Sequence, residues 1–470
     1  MAIKKFAQLK ESEKIELLYL LSEKNNLLEE EIKKLKARLD KLTKKNSNNS
    51  HKPPSSDQDK KKKTMSLRKK SKKKPGGQPG HKGTNLKPIK NPDEVYYHSI
   101  AKCECCGDKL TKKPKKIVKR QVFEIPKPEF FVTEYQAEVK KCRGCGHNNM
   151  ATFPEGVNKQ TQYGPRAKSL MVYLSRVQLL PYRRAKSLFK VLYDQTISQG
   201  TIYNAITEGA NCLKKINNKI ADLLSQSNVL NSDETGMNVS QSKHWLHVAS
   251  NDKATHYGIH KNRGSVAMDH IGILSKFSGT MVHDCWRSYF KFKKAIHALC
   301  NQHHLRELKY INEVQNLRWA KEMSDLLLEI NRKKKRAIRN GRRRFYKKTK
   351  QDFITRYNNI IDKGQMEQSS RGTKDSKNLL HRLYKYQKET LLFMEDFRVP
   401  FTNNQAERDI RMEKVQQKIT GGFRTLAGAK NSCTIRGVMS TVAKNGKNIL
   451  DVLEKAFLGK LKLQHVISTS

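Results

Sequence analysis

Three acidic residues in this sequence have types and surroundings that suit metal-dependent chemistry. Asp233 lies in NSDETG, Asp284 in HDCWRSY, and Glu407 in NNQAERDIR beside Arg408 and Arg411. Phosphodiester cleavage needs an activated water or hydroxyl on one side of phosphorus and a stabilised leaving oxygen on the other. Two Mg²⁺ ions about 3.5–4 Å apart meet both needs, and three carboxylates can hold them. Asp233 is the best candidate to bridge the ions, and the two arginines are candidates for contacts to DNA phosphates.

Each acid also has an ordinary structural interpretation. Asp233 suits a turn or a cap, Asp284 suits a helix N-cap before WRSYF, and Glu407 suits a Glu-to-Arg pair along a helix. On residue type alone, four neighbouring acids remain as alternatives: Glu234, Asp252, Asp409 and Glu413.

The segments around the first two acids are predicted strands. After a helical piece at about 265–275, the MVH run predicts a buried strand that ends at Asp284. The predicted order is three strands, a helix and a fourth strand, with acids in or at the end of the first and fourth strands. This is the order of a ribonuclease-H-like α/β core. We therefore expect Asp233 and Asp284 on neighbouring central strands. The three leading strands are β-branched or aromatic runs separated by turn residues: VLNSDETGMNV, KHWLHVASN and ATHYGIH.

A long helical and basic segment, from about Lys294 to Leu392, separates Glu407 from the other two acids. Twelve of the twenty residues 331–350 are Lys or Arg. The segment is predicted to be an insertion into the α/β core that contacts phosphates, although a solvated helix surface would have the same composition.

The charge of the whole chain indicates a polyanionic partner. The sequence has 95 Lys and Arg against 44 Asp and Glu, a formal net charge of +51. Nucleic acid is the commonest such partner, although a ribosomal or membrane-surface protein could share the charge. No apolar run approaches the roughly 18 residues that span a bilayer, and the N-terminus lacks the apolar core of a signal peptide. We expect no membrane partner and a cytoplasmic, nucleoid-associated protein.

Two CxxC pairs predict a structural zinc ribbon. Each pair is followed by Gly, which allows the tight turn that points both thiolates at one Zn²⁺ ion. The alternating segment RQVFEIPKPEFFVTEYQAEV between the pairs predicts the β-hairpin of the ribbon. Cys105 is a spare thiol that could exchange with a neighbour, and His147 is read as a surface histidine. The four predicted ligands are Cys103, Cys106, Cys142 and Cys145.

Residues 164–215 predict two helices, a turn and a third helix. The third helix would have Ser198 as its N-cap and an inner face of Ile202, Ala205 and Ile206. This arrangement suits a helix-turn-helix that reads the major groove of DNA, although helical hairpins packed for stability look similar. The candidate DNA contacts are Gln199, Thr201, Tyr203 and Asn204.

The N-terminal region predicts a coiled coil followed by a basic arm. Asn25 occupies an a position of the heptads, which favours a parallel dimer; a helix packed on its own protein is the alternative. The seam residues are Leu18, Leu21, Leu28, Ile32, Leu35, Leu39 and Leu42. The Gly/Pro-rich arm could enter a minor groove or be a solvated linker, and its candidate DNA contacts are Lys72, Lys73, Lys74, His81 and Lys82.

Several motifs together resemble those of insertion-sequence-66 family transposases, a bacterial branch of the DDE transposases. They are NSDETG, HDCWRSYF followed by HALCNQHHLREL, NNQAERDIR, HKPPSSD, PGGQPGHKG and the paired CxxC motifs. The resemblance implies that Asp233, Asp284 and Glu407 are the DDE triad and that Mg²⁺ or Mn²⁺ is the ion. It also implies that the substrates are the DNA ends of a mobile element, which are cut and joined to target DNA.

The expected protein is therefore multidomain, a homodimer, and a possible partner of accessory proteins encoded in the same element. A non-catalytic DNA-binding relative and a structure-specific nuclease are the alternatives. The predicted segments are a coiled coil at 1–45, a basic arm at 46–92, a zinc ribbon at 93–157, a helix-turn-helix region at 158–226, a first core part at 227–293, a helical insertion at 294–395, and a last core part with C-terminal helices at 396–470.

Two further groups have open roles. His297, Cys300, His303 and His304 could share one helix face, as a second metal site or as packing residues. Trp286 and Trp319 could stack on an unpaired base or belong to the core.

Overall fold

The computed structural model describes residues 10–43, 76, 78, 80–83 and 85–468, except for the side chains at 12–13, 16–17, 37–43 and 370–371. The chain divides into two compact units. The larger comprises Met1–Lys63, Pro154–Leu188 and Thr196–Ser470, and the smaller comprises Thr64–Phe153 and Phe189–Gln195. The predicted contacts of Lys72, Lys73 and Lys74 lie outside the described residues.

The first helix, α1, spans Glu11–Thr43 and confirms the predicted helix. Its described seam side chains are 48–57% exposed, so the pairing of this helix in a coiled coil stays a prediction. Leu39 and Leu42 lie in α1, but their side chains are among those not described.

The smaller unit contains a two-stranded antiparallel sheet of β1 (Val139–Lys141) and β2 (Asn148–Met150), which encloses the second CxxC pair. The predicted hairpin between the CxxC pairs is wrong, because residues 120–138, all described, form no strand. The alternation there does not mark a covered face: Val122 is 90% exposed and Phe131 is 93% exposed. A hairpin without a buried face has little to stabilise it.

The helices predicted before the sheet are confirmed. They are α2 (Pro165–Val172), which continues as a π-helix over Tyr173–Val177, α3 (Tyr182–Tyr193) and α4 (Gln199–Ser225). The Ser198 hydroxyl accepts a hydrogen bond from the Thr201 backbone N–H at 2.9 Å, as expected of an N-cap.

A five-stranded mixed sheet forms the centre of the larger unit. Its strands are β3 (Val229–Val239), β4 (Ser242–Ser250), β5 (Thr255–His260), β6 (Thr280–His283) and β7 (Ile296–Leu299), in the order β5-β4-β3-β6-β7. The first three strands pair antiparallel, whereas β6 and β7 run parallel to β3. Helix α5 (Ser265–Ile271) joins β5 to β6, so four predicted strands and this helix are confirmed.

The prediction of continuous helix from about Lys294 is wrong at its start. Ile296–Leu299 forms β7, the edge strand beside β6. Periodicity cannot separate a strand from a helix in a four-residue apolar run. The later part of the segment is helical, as α6 (Asn301–Gln315), α7 (Arg318–Arg339), α8 (Lys347–Arg371), α9 (Lys374–Lys385) and α10 (Gln387–Glu395).

Two hydrophobic clusters hold these elements on the sheet. The helices α6 to α10 share a core with Val282 of β6 and Ala298 of β7, and Trp319 is fully buried within it. Trp319 is therefore a core residue and cannot stack on a base. The second cluster packs Ala406 and Ile410 against β3, β4 and β5. These residues belong to α11 (Asn404–Thr420), which precedes α12 (Leu426–Lys444) and α13 (Ile449–Phe457).

Across the described ranges, no helix has the length and apolar character needed to cross a membrane.

Candidate active site

The sheet brings Asp233 and Asp284 to one place. Asn231 of β3 pairs in parallel with Val282 of β6. Asp233 comes two residues after Asn231, and Asp284 comes two residues after Val282. Neighbouring strands lie about 4.8 Å apart. The two carboxylates therefore come from adjacent backbone positions, although 50 residues separate them in the sequence.

Asn403 holds the start of α11 against β3. Asn is usually found at an N-cap because its side chain caps its own helix, but the Asn403 side chain makes no such cap. Its Nδ2 donates to the Ser232 carbonyl at 2.7 Å, and its Oδ1 accepts from Nδ2 of Asn231 at 2.9 Å. The Glu407 backbone N–H donates to the Asn403 carbonyl at 3.2 Å. Glu407 thus lies in the first turn of the helix, one turn after Asn403, which is bonded to the residue before Asp233.

Sequence reasoning did not identify Asn231 and Asn403 as functional residues. The available signal was position: each asparagine lies inside a motif that carries one of the acids, NSDETG and NNQAERDIR.

The acids form a cluster of negative charge around Asp233. Burial raises the pKa of Asp233 well above its ordinary value of 3.8, and the charges of Glu234, Asp284 and Glu407 raise it further. Within the described part of the chain, Oε1 of Glu407 is buried and has no hydrogen-bond partner. Carboxylate oxygens are the ligands that Mg²⁺ and Mn²⁺ prefer, so the residues present fit such ions.

Three of the four alternative acids have basic partners, and the fourth is exposed. Glu234 is buried and accepts from Arg263 at 2.7 Å and from the Tyr289 hydroxyl. Asp252 is exposed in the turn between β4 and β5. The remaining two acids form ion pairs with α12, Asp409 with Lys444 at 2.8 Å and Glu413 with Arg436 at 3.1 Å.

Aromatic and basic side chains lie beside the acids. Trp286 is half-buried, and the Arg263 guanidinium lies 4.2 Å from its ring centroid and 4.7 Å from that of Trp245. Arg408 and Arg411 are exposed on α11, and Arg408 donates to Gln405 at 2.6 Å.

The four residues of HALCNQHH do not share a helix face, so that prediction is wrong. His297 lies in β7, and its Nδ1 is 3.0 Å from Nε2 of His283. Cys300 is the N-cap of α6, and His303 and His304 lie in its first turn. His304 is buried beside Asn301, whereas Cys300 and His303 lie close to Glu407.

Each CxxC pair forms a tight turn that favours thiolates. The Cys103 carbonyl accepts from Gly107 N–H at 3.0 Å, and the Cys142 carbonyl accepts from Gly146 N–H at 2.9 Å. Both glycines have a positive φ, of 79° and 72°, which favours glycine. Backbone N–H groups, first those of Cys106 and Cys145, lower the pKa of Cys103 and Cys142. The thiols of each pair lie together, but among the described residues no three of the four sulfur atoms lie within 4.8 Å of one another.

Most of the described DNA-contact candidates are exposed. Gln199, Tyr203 and Asn204 are exposed at the start of α4, and His81 and Lys82 are exposed in the arm. Thr201 is half-buried, and its hydroxyl lies 2.9 Å from that of Ser198.

The protein combines a basic chain, two CxxC turns and a mixed sheet that carries clustered acids. These are features of a zinc-finger enzyme that acts on DNA. The chain belongs to the IS66 transposase family, because the model described as "Transposase IS66 family" matches residues 160–431, more than half of its length. The model "zinc-finger binding domain of transposase IS66" matches residues 101–146, which contain all four CxxC cysteines and support a bound zinc ion. A family of unknown function matches residues 5–87, and no curated protein matches the chain.

Proposed function

We propose that this protein is a DDE transposase that binds the ends of its mobile element, cleaves them and joins them to target DNA. Asp233, Asp284 and Glu407 are its catalytic residues. One observation carries the proposal: the register of β3 and β6 aligns the two aspartates, and Asn403 fixes the helix of the glutamate to the same strand.

The core is proposed to be ribonuclease-H-like. The proposal is supported by the strand order β5-β4-β3-β6-β7, with three antiparallel strands followed by two parallel ones. The helices between β7 and α11 then form the insertion, and they pack on the β6–β7 side of the sheet.

The chemistry follows from the carboxylates and their surroundings. Two Mg²⁺ or Mn²⁺ ions bound there would activate the attacking oxygen and stabilise the leaving oxygen. Asp233, flanked by both other acids, would hold both ions, and Asp284 and Glu407 would each complete one site. Water attacks a phosphodiester at the element end and releases a 3′-hydroxyl. This hydroxyl then attacks a phosphodiester of the target and displaces a 3′-oxygen of the target strand. Arg408 and Arg411, exposed on the helix of Glu407, would bind the phosphates.

The remaining elements are assigned to DNA binding and assembly. The exposed start of α4 would read the element ends, and the zinc finger and basic arm would add backbone contacts. The exposed apolar seam of α1 would pair two copies of the chain, so that both ends are held together. Accessory proteins encoded in the same element are proposed as further partners.

The test uses purified protein, Mg²⁺ and DNA taken from both flanks of its own gene, where inverted repeats would define the ends. We expect cleavage and strand-transfer products from wild type and from an Asp252→Asn control, but none from Asp233→Ala, Asp284→Ala or Glu407→Ala. Full activity in any of the three would remove that residue from the triad. Cutting of branched DNA without joining would indicate a structure-specific nuclease, and DNA binding without cutting would indicate a non-catalytic relative.

A further inference from the structure

Cys300, His303 and Glu407 form a second kind of site beside the carboxylate cluster. One possible ligand atom from each, a sulfur, a nitrogen and an oxygen, lies within 4.8 Å of the others. Among the residues that the structure describes, this is the one group of three or more His, Cys, Asp or Glu side chains that meets this condition.

Three hydrogen bonds donated by backbone N–H groups position these side chains. Cys300 follows β7 and donates its backbone N–H to the His283 carbonyl at 2.9 Å, at the end of β6. His303 N–H donates to the Cys300 carbonyl at 3.1 Å, which closes the first turn of α6. Asn403 N–H donates to Sγ of Cys300 at 3.1 Å, which joins the start of α11 to this turn. Glu407 is one helical turn beyond Asn403.

We propose that Cys300, His303 and Glu407 bind a divalent transition-metal ion, with Zn²⁺ the best match. Thiolate and imidazole donors suit zinc, whereas Mg²⁺ requires oxygen ligands. Three protein ligands leave a fourth tetrahedral position for water or a substrate oxygen. The thiol proton leaves to solvent when the Cys300 sulfur binds the ion.

This site differs in donor type from the proposed Mg²⁺ position, to which Asp233 and Asp284 contribute carboxylate oxygens. Oε1 of Glu407, buried and without a hydrogen-bond partner among the described residues, is available to complete the ligand set. The site shares Glu407 with the proposed function but does not require that the protein cuts DNA.

The test is a Co²⁺ titration, without DNA, of the full chain loaded with a single equivalent of Zn²⁺, which the four thiolates of the zinc finger bind first. Co²⁺ bound by a thiolate gives a near-ultraviolet charge-transfer absorption. We expect this absorption in wild type, its loss in Cys300→Ser, and a Co²⁺ affinity about 10–100-fold weaker in His303→Gln, the range for perturbed metal sites. Cys212→Ser, which removes a half-buried thiol in α4, is the matched control and should titrate as wild type.

An unchanged Co²⁺ spectrum in Cys300→Ser would overturn the proposal. Circular dichroism verifies that each variant is folded. If Cys300→Ser does not fold, His303→Gln provides an independent test. For His303, Mn²⁺ electron spin-echo spectroscopy should detect an imidazole nitrogen coupling in wild type and in His381→Gln but not in His303→Gln; persistence of the coupling would also overturn the proposal. Cleavage by wild type and Asp233→Ala with Mg²⁺ alone tests the proposed function separately, so the two can fail independently.

Discussion

The side-chain amide of Asn231 donates to the side-chain oxygen of Asn403 at 2.9 Å, and both residues are buried. This bond joins the strand of Asp233 to the helix of Glu407. Because Asn403 also donates to the carbonyl of Ser232, the position of that helix is fixed within one residue of the first acid.

Replacement of Asn403 by Ala should loosen this connection. The change leaves the buried Asn231 amide and the Ser232 carbonyl without these partners, and each unsatisfied group costs about 1–3 kcal/mol. We expect the free energy of unfolding to fall by at least about 1 kcal/mol and DNA cleavage to fall with it. Denaturant titration measures the first effect. Asn404→Ala, at the exposed next residue, should change stability little, and equal effects of the two changes would contradict the role of Asn403.

The raised pKa of Asp233 predicts a variant that is more stable than wild type. A raised carboxyl pKa stabilises the fold below the ordinary value of 3.8, and this contribution is lost as pH rises through the folded-state pKa. In the ion-free protein, Asp233→Asn should therefore raise the free energy of unfolding near pH 8 by about 0.5–2 kcal/mol. The gain should shrink as pH falls and should vanish well below the ordinary pKa of 3.8, where the carboxyl is neutral in both states.

Denaturation in EDTA at several pH values measures this gain, with the exposed Asp252→Asn as the control. A gain that does not change with pH would show that the charge of Asp233 is not its cause.

The zinc finger should bind one Zn²⁺ through its paired thiols. Cys103→Ser should lose the ion, whereas Cys105→Ser, which removes the exposed spare thiol, should keep it. Because backbone N–H groups lower the pKa of Cys103 and Cys142, zinc should stay bound to lower pH than thiols of ordinary pKa allow. Elemental analysis after dialysis measures the content. Loss of zinc from Cys105→Ser would make Cys105 a ligand.

The start of α4 should determine the affinity for the element ends. If Asn204 contacts a base, Asn204→Ala should weaken binding of end DNA by about 1–3 kcal/mol, the value of one good base contact, and should leave binding of unrelated DNA nearly unchanged. Asn218, also exposed on α4, lies about 21 Å along the helix at 1.5 Å per residue, so Asn218→Ala is the matched control. Equal losses for both DNAs in a binding titration would contradict base reading by Asn204.

The parts of the fold that depend on local pattern could be predicted. The strand that carries Asp233 and the buried face of α4 follow from side-chain pattern, and the short strand β6, which ends one residue before Asp284, was predicted from its MVH run. The missed strand β7 is four residues long, too short to show a period, and the wrong hairpin at 120–138 had alternation without a partner face.

The site was predictable to a similar extent. The acids carry a chemical signal in their residue type and motifs. The roles of Asn231 and Asn403 depend on a bond between residues that are 172 positions apart. The approach of Cys300 to Glu407 depends on the same packing of α11 on the sheet, so neither could be found from local sequence.

The most direct test of the central claim is a double-mutant comparison of strand-transfer rates. When groups act as one catalytic unit, the effects of their removal on the rate are not additive. Removing a second group therefore lowers the rate little once the first group is gone. With Mg²⁺ and pre-cleaved end DNA, Asp284→Asn and Glu407→Gln should each lower the rate by about 10³-fold or more, the order of loss for such groups. The double variant should be no slower than the worse single variant. Near-wild-type rates in the single variants, or losses that multiply in the double variant, would contradict a shared catalytic site of Asp233, Asp284 and Glu407.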